Sequence, residues 1–108
     1  MKAIRIHGHG GTEMLQFEDV PEPACEVNKV KINIQASAIN HLDIWVRKGI
    51  PGINVPLPLI LGSDGAGIIV ETGDDVTGWK SGDHVVIQPG TFCRKCTDCT
   101  TGNENYCH

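Results

Sequence analysis

Four of the chain's five cysteines stand within fifteen residues, as Cys93-Arg-Lys-Cys96-Thr-Asp-Cys99 followed by Cys107. A two-residue gap lets two thiolates straddle a tight turn and face one ion, and tetrahedral zinc takes four sulfurs at about 2.3 Å. The return to Cys107 runs through Thr100-Thr-Gly-Asn-Glu-Asn-Tyr106, whose glycine and asparagines suit a chain that doubles back. These residues read as a closed, four-coordinate structural zinc site with no vacant position for chemistry. Three other readings compete with it. Disulfides belong to secreted chains, whereas residues 1–5, Met-Lys-Ala-Ile-Arg, break up their apolar residues too early for a signal peptide. A bacterial iron–sulfur motif also opens Cys-x2-Cys-x2-Cys, but its fourth cysteine comes about three residues later and precedes proline. Here the gap is seven and His108 follows. Chance clustering of inert thiols leaves the regular spacing unexplained. The spacing favours zinc, and thiols kept reduced point to the cytoplasm.

The bulk composition sets bounds on the rest. A chain of 108 residues is one domain by length, able to bury roughly two thirds of its unfolded surface. Its 40% apolar and 20% charged content is ordinary for a globular protein, so no fibrous or disordered class is called for. A formal charge of −4 without a dense Lys/Arg patch argues against a nucleic-acid partner. No apolar run approaches the roughly 18 residues of a membrane helix, so no membrane partner is expected.

Around the cysteines the chain reads as short strands joined by glycine and proline. Residues 2–7, Lys-Ala-Ile-Arg-Ile-His, alternate polar and apolar as a strand does. The glycines of Gly8-His-Gly-Gly-Thr12 suggest a phosphate loop, but a helix should follow it. Residues 14–17 instead run into the extended Glu18-Asp-Val-Pro21-Glu-Pro23, so a plain turn is the better reading. Cys25 stands alone and reads as a small buried or half-buried thiol. Residues 30–38 form the clearest strand, with Val30, Ile32, Ile34, Ala36 and Ala38 at alternate positions. It leads to Ile39-Asn40-His41-Leu42-Asp43 and a short helix over residues 42–48, stopped by Gly49 and Pro51. Pro51, Pro56 and Pro58 make an irregular loop. The glycines of Gly62-Ser63-Asp64-Gly65-Ala66-Gly67, just before Ile68-Ile-Val70, imply close backbone approach or positive φ. Asp74, Asp75 and Gly78 make a turn with Trp79 as its anchor, residues 84–88 form the last strand, and Pro89-Gly90 launch the cysteine lobe. The fold class is mainly β: a small β-barrel with one short helix and a metal-held excursion.

In combination these residues resemble the medium-chain dehydrogenase/reductase superfamily. The resemblance is carried by Ala36-x3-Asn40-x2-Asp43 and Gly49, by Gly62-x4-Gly67, and by Glu71-Thr-Gly73 and Val76. It continues through Trp79-Lys80-x-Gly82-Asp83-x-Val85-Val86, Pro89-Gly90 and the four cysteines. Such a likeness implies a GroES-like β-barrel over residues 1–108, with residues 90–108 as the structural zinc lobe of Cys93, Cys96, Cys99 and Cys107. It implies the N-terminal catalytic domain of a longer, homo-oligomeric zinc-type alcohol dehydrogenase or quinone reductase relative. In that family a Rossmann domain supplies NAD(P)(H) and the active site lies in the cleft between the two domains. The isolated chain is then expected neither to bind nicotinamide tightly nor to turn over.

Departures from the family pattern bear on the reaction. Zinc alcohol dehydrogenases carry a cysteine where this chain has Asn40, and a His-Glu pair where it has Ser63-Asp64. Amide and hydroxyl are poor zinc ligands, so no standard catalytic zinc is expected. Asparagine at the first position resembles the quinone reductase branch, which passes hydride from NADPH to an activated alkene or quinone without metal. Asn40 is a candidate donor to a substrate carbonyl, or alternatively the cap of the following helix. His41 is where the family places a group near the cofactor phosphates, or is an exposed helix-start histidine. Asp43 matches an aspartate near the reaction centre, or answers the helix dipole. Ser63 and Asp64 line the cleft, or bond backbone donors among the glycines. The substrate is expected to be a carbonyl, enone, quinone or alcohol. Competing functions are an alcohol dehydrogenase with altered metal ligands and a stand-alone, zinc-stapled binding module.

Overall fold

The computed structural model describes residues 1–107, so the His108 end of the expected lobe lies outside the described residues. Six strands form: β1 (Lys2–Ile6), β2 (Gln16–Asp19), β3 (Val30–Ala38), β4 (Leu59–Ile60), β5 (Asp64–Thr72) and β6 (His84–Val86). Two helices join them, α1 (His41–Lys48) and the single turn α2 (Thr97–Thr100), with 3-10 turns at Thr12–Met14 and Glu104–Tyr106. The strands make two antiparallel sheets of three, ordered β2-β1-β4 and β3-β5-β6. The mainly β class holds.

The first sheet is written in charge. β1 and β2 pair so that Lys2 faces Asp19, and their side chains bond at 2.7 Å. Arg5 Nε donates to Glu18 at 2.8 Å, and His7 Nε2 contacts the same carboxylate. That pairing draws residues 16–19 into a strand, where the sequence suggested only an extended segment. The Arg5 guanidinium, then His7, hold the Glu18 carboxyl down at about 2 from an ordinary 4.5. The glycines before it open only a 3-10 turn, so no phosphate-binding helix follows them.

The second sheet departs from the simple alternation expected of residues 30–38. Its β3–β5 register shifts between Lys31 and Ile32 and again between Ile34 and Ala36. Opposed residues share a face, so Ile32 lies with Ile69 while Ala36 lies with Ala66, three residues away on β5 and therefore on the other side. Ile69 is buried, but Ile34 remains 48% exposed and Val86 82% exposed. The groove lined by Gln35, Ala66, Gly67, Ile68, His84, Val85 and Val86 has a volume of about 460 Å³.

The glycine cluster behaves as its density implies. Gly62 has φ 114. A Cβ on Gly67 would collide with the carbonyl oxygen of Asn33, which is how β3 and β5 approach so closely. Cys25 is half-buried, its Sγ 3.3 Å from the Lys29 carbonyl. Trp79 is not an anchor: it is 54% exposed.

The described core is small, with Ile6, Val20 and Ile69 its buried apolar residues. The accessible surface is 8111 Å², against about 5,900 Å² for a compact chain of this mass. Only about half of the unfolded surface is buried, short of the two thirds expected. The reason is geometric: residues 33–38 of β3 are exposed at every position, so neither face of that stretch is covered by the described residues. No helix among them is long and apolar enough to cross a membrane.

Candidate metal centre

Beyond β6 the chain enters residues 93–107, where local hydrogen bonds bring the cysteines together. Cys96 precedes α2 in an extended conformation (φ −70°, ψ 165°), so its sulfur sits at the mouth of the helical turn. Thr100 Oγ1 donates to the Cys96 and Thr97 carbonyls at 3.2 and 3.1 Å, and Thr101 Oγ1 donates to the Thr97 carbonyl at 2.7 Å. The same two carbonyls also accept the Thr100 and Thr101 amides, at 3.0 and 3.1 Å, so side chain and backbone together fix this single turn. Gly102, at φ 84, reverses the chain, the Asn103 amide donates to the Asp98 carbonyl at 2.8 Å, and a 3-10 turn returns Cys107 to the cluster. Thr100 to Tyr106 therefore form the doubling-back segment that their composition suggested.

The four sulfurs all lie within 4.8 Å of one another. Cys93 Sγ is 3.8 Å from Cys99 Sγ, and Cys96 Sγ is 3.4 Å from it. Zinc–sulfur bonds of about 2.3 Å give a tetrahedral edge of about 3.8 Å, so this donor set fits a tetrahedral thiolate-binding metal. Backbone amides also converge on the sulfurs. Lys95 and Cys96 each donate to Cys93 Sγ at 3.3 Å, and Cys93 donates to Cys107 Sγ at 3.3 Å. The Lys95 and Cys96 amides hold the Cys93 thiol down at about 6. Burial, then the neighbouring Cys96 thiol, pushes Cys99 up to about 12, against the Arg94 amide. Sequence reasoning singled out the four cysteines but missed these donors, because an amide is present whatever the residue type.

Of the other candidate residues, Asn40, Asp43 and Asp64 meet at the junction of β3, α1 and β5. Asn40 caps α1: its Oδ1 accepts from the Leu42 amide at 3.0 Å, and its own amide donates to Asp43 Oδ2 at 2.9 Å. This capping box extends the helix one residue earlier than expected, to His41. Asn40 Nδ2 also donates to Asp64 Oδ2 at 3.4 Å, bringing together residues from α1 and β5. Ser63 Oγ is buried with no hydrogen-bond partner among the described residues, so it does not serve the glycine backbone as one reading proposed. His41 stands apart, exposed and edge-on to Trp45 with ring centroids 4.9 Å apart. Asn40 and Asp64 lie on separate elements, and no local pattern announces their bond.

Comparison with known proteins fits this combination of fold and lobe. The family model described as the alcohol dehydrogenase GroES-like domain matches residues 26–108. An NAD-dependent alcohol dehydrogenase of Sulfolobus acidocaldarius is 35% identical over 112 residues, spanning 99% of this chain and 32% of the relative. The cobalt- and zinc-bound thermostable alcohol dehydrogenase from Pyrobaculum aerophilum superposes with a TM-score of 0.90 at 33% identity, over 99% of this chain and 32% of that one. Escherichia coli quinone oxidoreductase complexed with NADPH superposes with a TM-score of 0.73 at 34% identity, over 80% of this chain and 26% of that one. The chain spans about a third of the length of the curated relatives it matches.

Mainly β architecture with a four-cysteine lobe after its last strand defines the class: a GroES-like domain of the medium-chain dehydrogenases. The chain belongs to the alcohol dehydrogenase GroES-like domain family.

Proposed function

We propose that this chain is the substrate-side domain of an NAD(P)(H)-dependent oxidoreductase, with structural zinc at Cys93, Cys96, Cys99 and Cys107 and no catalytic zinc. The observation that carries this reading is a division of labour among the donors. Four sulfurs close on one tetrahedron, while Asn40, Asp43 and Asp64 are committed to one another and to the start of α1. Zinc would neutralise the thiolates and hold residues 93–107 in place. An amide oxygen already accepting from Leu42 is a poor ligand for a second metal.

A nicotinamide cofactor would supply the hydride, bound chiefly by a Rossmann domain in a longer enzyme, as the greater length of the relatives suggests. Within this chain, one proton of Asn40 Nδ2 is engaged by Asp64, leaving the other to donate to a substrate carbonyl oxygen. Asp64 fixes the plane of that amide, and Asp43 fixes the backbone that carries it. Ser63 Oγ supplies a second donor, which would explain a buried hydroxyl without a partner. His41, exposed on the first turn of α1, is assigned to the cofactor phosphates. The preferred substrate is an enone or quinone, reduced at a polarised carbon in a homo-oligomeric cytoplasmic enzyme.

Alcohol dehydrogenation is the second reading. It is favoured by the alcohol dehydrogenases, which align with nearly the whole chain while the quinone oxidoreductase covers 80% of it. Elemental analysis of the longest encoded form, with and without Cys93→Ser, separates the two. One zinc per chain, lost in the variant, is expected. Two zincs, one surviving the substitution, would establish a second metal and favour alcohol chemistry; iron would overturn the zinc assignment.

A further inference from the structure

Arg94 has φ 65 and is the one non-glycine residue with positive φ among the described residues. Six glycines share that region, at Gly49, Gly52, Gly62, Gly78, Gly82 and Gly102, where no Cβ opposes it. A left-handed conformation is costly for an L-residue with a long side chain, and it persists only where the surroundings over-determine it. The surroundings here are the sulfurs. Immediately after Arg94, two successive amides, Lys95 and Cys96, both reach Cys93 Sγ at 3.3 Å. Returning Arg94 to negative φ would rotate the following peptide and take both donors off that sulfur. The guanidinium carbon lies 5.9 Å from the centre of the Phe92 ring, a contact that holds the side chain back over the preceding residue.

We infer that Arg94 is a positioning residue of the metal centre: its left-handed backbone aims the Lys95 and Cys96 amides at Cys93 Sγ and so sets how tightly the four cysteines hold a metal. The inference rests on zinc occupying the four-sulfur site and deepens that reading. It places the demand on the backbone of residue 94 rather than on its charge. Glycine should therefore serve as well as arginine, and a β-branched residue should serve badly.

The test is competition for zinc between the full chain and a chromophoric chelator, for wild type, Arg94→Gly, Arg94→Val and Lys95→Val. Residue 95 is not left-handed, so Lys95→Val controls for bulk and for loss of a cation beside the thiolates. Arg94→Gly should bind within about threefold of wild type or more tightly, Arg94→Val about tenfold more weakly, and Lys95→Val within about threefold. Far-UV circular dichroism reports whether the sheets survive in each variant. Equal affinities for the two valine variants, or a tenfold loss with Arg94→Gly, would overturn the positioning role while leaving zinc in place. A wild-type chain that takes up no zinc would overturn the metal centre itself, and the role of Arg94 with it.

Discussion

Gly67→Ala should be among the most damaging single-methyl changes in this chain. Gly67 lies in β5 opposite Ile34, with the β3 backbone against its Cα. A methyl group there would overlap the Asn33 carbonyl oxygen while sitting 2.9 Å from its carbonyl carbon and 3.0 Å from Ile32 Cγ2. Two of these neighbours are backbone and cannot rotate away. Relief requires β3 and β5 to part by about an ångström, since carbon contacts settle near 3.5–4.0 Å. Overpacking of this kind costs about 1–3 kcal/mol, and a stretched ladder hydrogen bond adds about 1 kcal/mol. A total of about 2–4 kcal/mol corresponds to a fall in Tm of roughly 10–20 °C for a domain of this size. Gly78→Ala is the control, because its Cβ would meet nothing within 4 Å and only the backbone, at φ 84, resists it. That change should cost about 1 kcal/mol. Thermal melting of the zinc-loaded chain, followed by far-UV circular dichroism, measures both. Zinc stoichiometry should not change, since the cysteines lie beyond β6. A Gly67→Ala protein melting within about 3 °C of wild type, or above the Gly78→Ala protein, would refute the close-approach reasoning.

Other outcomes follow from the same geometry. Asn40→Ala should cost about 1 kcal/mol in urea denaturation through loss of the α1 cap, whereas Asn40→Ser should recover most of it; equal losses would mean that the cap is not what Asn40 contributes. The Glu18 carboxyl is held near 2 in the folded chain against an ordinary 4.5, so its stabilisation is present above pH 4.5 and is lost as pH falls towards 2. The Tm difference between wild type and Glu18→Gln should therefore persist above pH 4.5 and vanish as pH falls from 4.5 towards 2; a gap that widens over that range would contradict this. Stripping zinc with a chelator should raise amide exchange across residues 93–107 while β3 and β5 keep their protection, and uniform loss of protection would show that the lobe and sheets unfold together.

Residues whose role is set by near neighbours were the legible ones. The cysteine spacing, the span of β3, the stop at Gly49 and the glycine density around Gly62 and Gly67 all correspond to local geometry. What escaped depends on pairing across the chain. The two bulges in the β3–β5 register follow from matching two strands, and neither strand's own alternation reveals them. The Asn40–Asp64 bond joins residues 24 positions apart through that same pairing. Trp79 looked like an anchor by residue type, yet more than half of it stays exposed. Arg94 is the clearest case: nothing about arginine announces a left-handed backbone, and only the position of the sulfurs explains one. The mainly β class was legible from turn residues, while the shortfall in buried surface required knowing which faces lack a cover.

The two halves of the chain also differ in how far their residues must search to find each other. Cys93 and Cys107 are separated by 14 positions, and the cluster's other two sulfurs, of Cys96 and Cys99, lie between them. Closing the first sheet instead requires Ile6 to meet Leu59, with β2, β3 and α1 intervening. Short loops close in well under a microsecond, while long-range strand pairing is the slow step of β-rich folding. When the full-length chain refolds, metal capture can therefore precede assembly of the first sheet, and ion supply and folding rate become separable controls on yield.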